Sequence, residues 1–160
     1  ELRLVTSNIR RNSPLCLDSK IHHANLINNI LAKIEANYAG VDDALMLDLD
    51  GFVAETNATN IFMIKNGLVI TPFPKACLPG ITRSLIIEIC KNNNIPIVEQ
   101  DISVTELYNA DEVFTTGTMG ELARVNEIDN RKIENKGGVL MQLQSLFRKL
   151  TEVEGEKLPF

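Results

Sequence analysis

Residues 44–71 read ALMLDLDGFVAETNATNIFMIKNGLVIT, a series of short apolar runs cut by turn residues, and the fold class is decided here. The runs are Ala44 to Asp48, Phe52 to Ala54, Asn60 to Lys65 and Leu68 to Thr71, bounded by residues that favour turns. Asp50-Gly51 and Asn66-Gly67 lie between runs and supply the positive φ angles that two-residue hairpin turns demand. The pattern predicts a meander of adjacent antiparallel strands.

Working outward from the meander, the flanking segments add helices and further strands. Upstream, Leu2 to Arg10 is rich in strand formers until Ser13-Pro14 interrupts it. Leu26, Ile27, Ile30, Leu31, Ile34 and Tyr38 then recur at three- and four-residue steps before Gly40, the pattern of an amphipathic helix with a glycine C-cap. Its polar face carries Asn28, Asn29, Lys33 and Glu35, so the apolar face is expected to cover one side of a sheet. Downstream, Ile81, Leu85, Ile86, Ile89 and Cys90 mark a helix starting near Thr82 and ending at Asn92-Asn93-Asn94. Strands are expected at Ile95 to Glu99 and Glu112 to Thr116, with a short helix at Val104 to Tyr108 between them. A hairpin follows, from Leu122 to Ile128 and Lys132 to Ile133 around Asp129-Asn130. The last amphipathic helix runs through Val139, Leu140, Leu143, Leu146, Phe147 and Leu150. Meander strands mixed with helices predict an α+β domain rather than a doubly wound sheet.

The chain of 160 residues carries 16 basic and 21 acidic side chains, a net charge of −5, with the basic residues scattered. That balance argues against a phosphate-tracking nucleic-acid binder and leaves small anionic ligands open. At 44% hydrophobic and 23% charged it is expected to fold as one domain with its own core. No apolar run approaches the ~20 residues of a membrane helix, so no membrane partner is expected. Cys16, Cys77 and Cys90 are odd in number and show no CxxC spacing, which predicts partly or fully buried free thiols in a reducing compartment, cytoplasmic or organellar. Asn57-Ala58-Thr59 matches a glycosylation triplet, but nothing else points to secretion. The start at Glu1, without Met or a signal peptide, suggests a piece of a longer protein.

Two loops are built to meet an anion. Pro79-Gly80-Ile81-Thr82-Arg83 sets a glycine at the mouth of a helix, where free amides and the positive dipole end collect. Thr115-Thr116-Gly117-Thr118-Met119-Gly120 is a hydroxyl-rich turn after a strand. Each alone also reads as an ordinary turn. Lys20 by itself reads as a surface lysine, and Glu55 as a solvated strand-end carboxylate. His22-His23 are adjacent and diverge, a poor metal pair, so no metal is expected. Cys16 has no signature of a nucleophile.

Taken together these residues are far more specific. Lys20, Glu55 to Phe62, Val69-Ile70-Thr71, Leu78-Pro79-Gly80-Ile81-Thr82-Arg83 and Thr116-Gly117-Thr118-Met119-Gly120-Glu121 resemble fold-type IV (class IV) pyridoxal-phosphate aminotransferases. The resemblance runs from about Leu2 to Leu150 and implies that family's large domain, a mixed, largely antiparallel, barrel-like sheet with packed helices. Residues 1–160 would be this one cofactor-binding domain, the family's smaller N-terminal domain having no counterpart before Glu1. It implies pyridoxal 5'-phosphate as cofactor, Lys20 as the Schiff-base lysine and Glu55 as the carboxylate facing the pyridine nitrogen. Gly80, Ile81, Thr82 and Thr118 match the phosphate-binding positions, and Met119 and Gly120 the turn facing the substrate carboxylate. The implied reaction moves an amino group between an amino acid and a 2-oxo acid in a homodimer. The Leu-Pro-Gly-Ile-Thr-Arg form favours branched-chain substrates. D-amino-acid aminotransferases and 4-amino-4-deoxychorismate lyases share the cofactor cup, and a catalytically silent fragment is the rival reading of another class.

Overall fold

The structure is a computed structural model that describes residues 1–154. Among the described residues nine strands and four helices follow one another as β1 (Leu2–Thr6), α1 (Ile27–Ala39), β2 (Asp43–Leu47), β3 (Val53–Thr56), β4 (Asn60–Lys65), β5 (Leu68–Thr71), α2 (Ile81–Asn92), β6 (Ile97–Glu99), α3 (Val104–Tyr108), β7 (Glu112–Gly117), β8 (Glu121–Ile128), β9 (Arg131–Lys132) and α4 (Val139–Glu154). The strands form one mixed sheet in the order β3-β2-β1-β8-β7-β4-β5-β6, with β9 on β8. β1 runs parallel to both its neighbours and β5 parallel to β6, while the remaining pairs are antiparallel. β3 lies at one edge, yet the turn Asn57–Thr59 joins it directly to β4, and the Thr56 N–H donates to Thr59 O at 2.8 Å. The sheet therefore curls until its edge meets β4, giving the α+β half-barrel expected from the sequence.

The expected meander is interrupted. β2–β3 and β4–β5 are antiparallel pairs, but β4's other partner is β7, not β3. Asn66-Gly67 forms the two-residue turn, both residues at positive φ. Asp50-Gly51 does not, because it lies inside a five-residue connection held by the Asp48 carboxylate, which accepts the N–H groups of Asp50 and Phe52 at 3.0 and 2.9 Å. Asp129-Asn130 turns β8 into β9 with φ of 52° and 61°.

Strand alternation splits the core into layers. Ile61, Met63, Val113 and Val125 face the inside of the curl with Leu4, Leu45 and Ile128. Phe62, Ile64, Phe114 and Leu122 face outward against Ile86 and Ile89 of α2 and Leu140, Leu143 and Phe147 of α4. Phe62 and Phe114, paired across β4 and β7, stack with ring centroids 4.9 Å apart.

The helix α1 covers β1 and β2 with the face opposite to the one expected. Ala32 and Ala36 pack on Ala44 and Met46, and small side chains let helix and sheet approach closely. Asn28 Nδ2 donates to Arg10 O at 2.8 Å, and Glu35 Oε2 accepts from the Ser7 hydroxyl and the Asn8 N–H. The polar side chains therefore bond the exit of β1, while Leu26, Ile27, Ile30, Leu31, Ile34 and Tyr38 stay 41–90% exposed. Among the described residues no helix is long and apolar enough to cross a membrane.

The start of α4 is fixed from β7. Glu112 is fully buried, and its carboxylate accepts the N–H groups of Val139 and Leu140 at 3.0 and 3.4 Å, filling the role of a helix cap. A Cβ at Gly137 would collide with that carboxylate. Bonds to charged groups are worth about 1.5–3 kcal/mol, so Glu112→Ala is expected to lose roughly that much in urea unfolding with an unchanged m-value.

Candidate active site

A cleft of about 530 Å³ opens where β3, the β3–β4 turn, the start of α2 and the end of β7 meet. Glu55 lines it, 6% exposed, from β3, whose four residues are all buried. Its Oε1 forms an ion pair with Arg11, 2.9 Å from Nε, both side chains being 7% exposed. The same Nε–H donates to Ala76 O at 3.1 Å, while Nη1 donates to Asn28 Oδ1 and Asn29 Oδ1 at 2.6 and 2.9 Å and Nη2 to Ser19 Oγ at 2.9 Å. One guanidinium thus ties β1's exit, α1 and the segment before α2 to the carboxylate. Burial pushes the Glu55 carboxyl from 4.5 up to about 7, outweighing the opposing pull of Arg11 and of the Leu78 backbone. A cation placed beside Glu55 would draw it back to the ionised form.

The opposite wall is an anion cradle. Gly80 is the N-cap of α2, without a side-chain cap bond, and Gly80, Ile81 and Thr82 line the cleft. The first-turn amides of a helix have no intrahelical acceptor and carry the positive end of its dipole. Thr116, Gly117 and Thr118 line the cleft from β7. Thr116 is 3% exposed, and its Oγ1 is buried with no hydrogen-bond partner, a hydroxyl that an anion in the cleft would satisfy. Gly80 is required by Asn60, whose Oδ1 a Cβ would strike. Asn60 in turn donates through Nδ2 to Leu78 O at 2.9 Å and reaches Glu55 Oε2 at 3.5 Å.

Glu55, Gly80, Ile81, Thr82 and Thr118 are therefore brought to one cleft. Met119 and Gly120 are exposed and lie outside its lining. Lys20 is exposed as well and lines neither this cleft nor the smaller one, about 270 Å³, on the other side of Glu55. From the same segment His22 lines both. Cys16 is exposed, contrary to the expected partly buried thiol, because the loop after Pro14 stands off the sheet. Cys77 and Cys90 are buried free thiols, and burial raises Cys77 to about 12. Among the described residues no group of His, Cys, Asp or Glu is gathered to hold a metal. Arg11 escaped the sequence reading because nothing separates it from the exposed Arg10 beside it.

The sequence pattern of the family described as Amino-transferase class IV matches residues 1–128. The chain belongs to the class IV aminotransferases. It is 58% identical over 158 residues to the "Branched-chain-amino-acid aminotransferase-like protein 2" of Arabidopsis thaliana, covering 98% of this chain and 28% of that protein. It is 41% identical over 160 residues to a "Putative branched-chain-amino-acid aminotransferase" of Methanocaldococcus jannaschii, covering 98% of this chain and 56% of that one. Among solved structures, the branched-chain aminotransferase of Thermoproteus uzoniensis with norvaline superposes with a TM-score of 0.91 at 32% identity, over 97% of this chain and 52% of that one. The branched-chain amino acid aminotransferase of Thermobaculum terrenum in its PLP form gives 0.89 at 31% identity, over 94% and 50%. The chain thus spans between about a quarter and just over half the length of these class IV relatives.

Proposed function

We propose that residues 1–160 form the cofactor-holding domain of a pyridoxal 5'-phosphate-dependent aminotransferase acting on branched-chain amino acids and 2-oxo acids. The observation that carries this reading is the convergence, in one cleft, of a buried carboxylate, the uncapped start of α2 and the unpartnered Thr116 hydroxyl. The substrate class rests on the relatives, which are named as branched-chain enzymes. When bound, the cofactor supplies an aldehyde to take up an amino group and a ring that accepts electrons from Cα. The chain's own residues bind and orient it. The amides of Ile81 and Thr82 and the hydroxyls of Thr82, Thr116 and Thr118 hold the phosphate. Glu55, kept in place by Arg11, holds a proton at the ring nitrogen. Met119 and Gly120 extend from Thr118 to the substrate carboxylate. The test is transfer of the amino group from leucine to 2-oxoglutarate by the full-length protein, with alanine as a comparison donor. Leucine should be preferred, and no transfer from any branched-chain donor would reject the assignment.

Lys20, whose neighbours Ser19, Ile21 and His22 line the cleft beside Glu55 and whose charge acts on Cys77, is the amine that would hold the cofactor aldehyde.

The exposed stripe of α1 fits a homodimer. Five large side chains of α1, with Leu26 at its N-cap, leave an exposed apolar stripe of the kind that marks an interface, and a second copy offers a self-complementary surface under two-fold symmetry. Ile30→Glu with Ile34→Glu is expected to convert dimer to monomer in sedimentation at micromolar concentration. A variant that stays dimeric would place the interface elsewhere.

A further inference from the structure

A ligand anchored at both ends draws part of its affinity from spacing. Once the first anchor is made, the second forms as an intramolecular contact, and it does so well only when the protein holds the two anchors at the ligand's own span. In this cleft the carboxylate comes from β3, while the anion cradle comes from the start of α2 and the end of β7, elements far apart in sequence. The Asn60 side chain stands among all three. Asn60 opens β4, is 6% exposed and lines the cleft. In the β4–β7 pair it lies opposite Thr116, so the two side chains share one face of the sheet. Its Nδ2 donates to Leu78 O at 2.9 Å and approaches Glu55 Oε2 to 3.5 Å, and the Leu78 backbone pulls on the same carboxylate. Its Oδ1 lies so near Gly80 that a Cβ there would sit 2.3 Å from it. Glu55, the turn into α2 and the Thr116 end of β7 are thus referred to one buried amide.

We propose that Asn60 is a positioning residue that fixes the span between Glu55 and the start of α2, so that the cleft favours a ligand carrying a pyridine nitrogen and a phosphate at that span over phosphate alone. The inference rests on the cofactor reading above and adds the side chain that sets its geometry. A residue that only filled space would change stability and leave the ratio between the affinities for the whole ligand and for its phosphate unmoved.

The experiment uses the full-length protein and two probes, pyridoxine 5'-phosphate, which carries the ring and the phosphate but no aldehyde to react with an amine, and inorganic phosphate. Fluorescence titration reads the first and competition against it the second. Asn60→Leu and the smaller change Asn60→Ser, each with wild-type circular dichroism, should bind pyridoxine 5'-phosphate roughly 10-fold more weakly, the upper end of what one net hydrogen bond is worth. Inorganic phosphate should change by no more than about twofold, the scatter expected where no coupling exists. Asn60→Ser carries the test if leucine unfolds the chain. The contact with Gly80 gives a second readout. Gly80→Ala should weaken pyridoxine 5'-phosphate binding in the wild-type background and cost far less in Asn60→Ser, where the added Cβ no longer meets Oδ1. An equal fall for both probes would overturn the inference, because Asn60 would then act at the phosphate alone. Unchanged affinity in the Asn60 variants, or the same Gly80→Ala penalty in both backgrounds, would overturn it too. In each of those cases tight binding by wild type leaves the cofactor reading intact, whereas no binding of pyridoxine 5'-phosphate by wild type would overturn both.

Discussion

Arg11→Met is expected to destabilise the fold by about 3–5 kcal/mol near neutral pH, the range for removing one partner of a buried ion pair. Met keeps the aliphatic stem and ends at the position of Nε, so the variant removes the guanidinium and its bonds. It strips Glu55 of its partner and leaves the acceptors of Asn28, Asn29, Ser19 and Ala76 without their donor. The deficit should depend on pH in a definite sense. Glu55 titrates at about 7 in the fold against 4.5 as an ordinary carboxyl, so the folded chain holds this proton more tightly than the unfolded one. Its contribution is complete below 4.5 and is lost as pH rises through about 7. Without Arg11 the ionised form is costlier still, and the loss extends to higher pH. Urea unfolding should show a larger difference between wild type and variant at pH 8 than at pH 5. An equal difference at both would mean that Arg11 acts through packing alone.

Gly80→Val is expected to weaken pyridoxal 5'-phosphate binding by roughly 10- to 150-fold, the loss of about one charge-assisted hydrogen bond of 1.5–3 kcal/mol. The backbone at Gly80 is extended, at φ −62° and ψ 147°, so conformation is not the obstacle. The obstacle is Asn60, which a side chain at position 80 would displace from Leu78 O. Asn60 also reaches toward Glu55, so both ends of the cleft move together. Thr82→Ala should cost less because its amide remains, and Thr118→Ala should resemble it. Titration of the three variants, each with wild-type circular dichroism, checks the ranking. Gly80→Val binding as tightly as wild type would remove the phosphate from the start of α2.

Turn chemistry and strand alternation were legible in the sequence because each is local. Asn66-Gly67 and Asp129-Asn130 turn where their φ angles allow, and α2 and α4 bury the apolar stripes that their periodicity marks. Asp50-Gly51 misled because the Asp48 carboxylate, two residues earlier, organises a longer connection. On α1 the periodicity located a stripe without saying what covers it, and the alanines and asparagines opposite satisfied the sheet instead. The two anion-ready loops were readable from glycine and threonine, since a helix start and a strand end both leave polar groups unpaired. The arrangement around Lys20 and His22 was not readable. A loop has no period, and which side chain turns inward is set by the bonds of Ser19 and Asp18. Arg11 was invisible for the same reason, its role being fixed by acceptors on five other residues.

The central claim is that the cleft between Glu55 and the start of α2 binds the phosphate and ring of pyridoxal 5'-phosphate. Fluorescence titration of the full-length protein with this cofactor, repeated in excess inorganic phosphate and with Thr116→Val, tests it most directly. Saturable one-to-one binding is expected, weakened by competing phosphate and by loss of the buried, unpartnered Thr116 hydroxyl. Binding that ignores both phosphate and Thr116→Val, or no saturable binding at all, would contradict it.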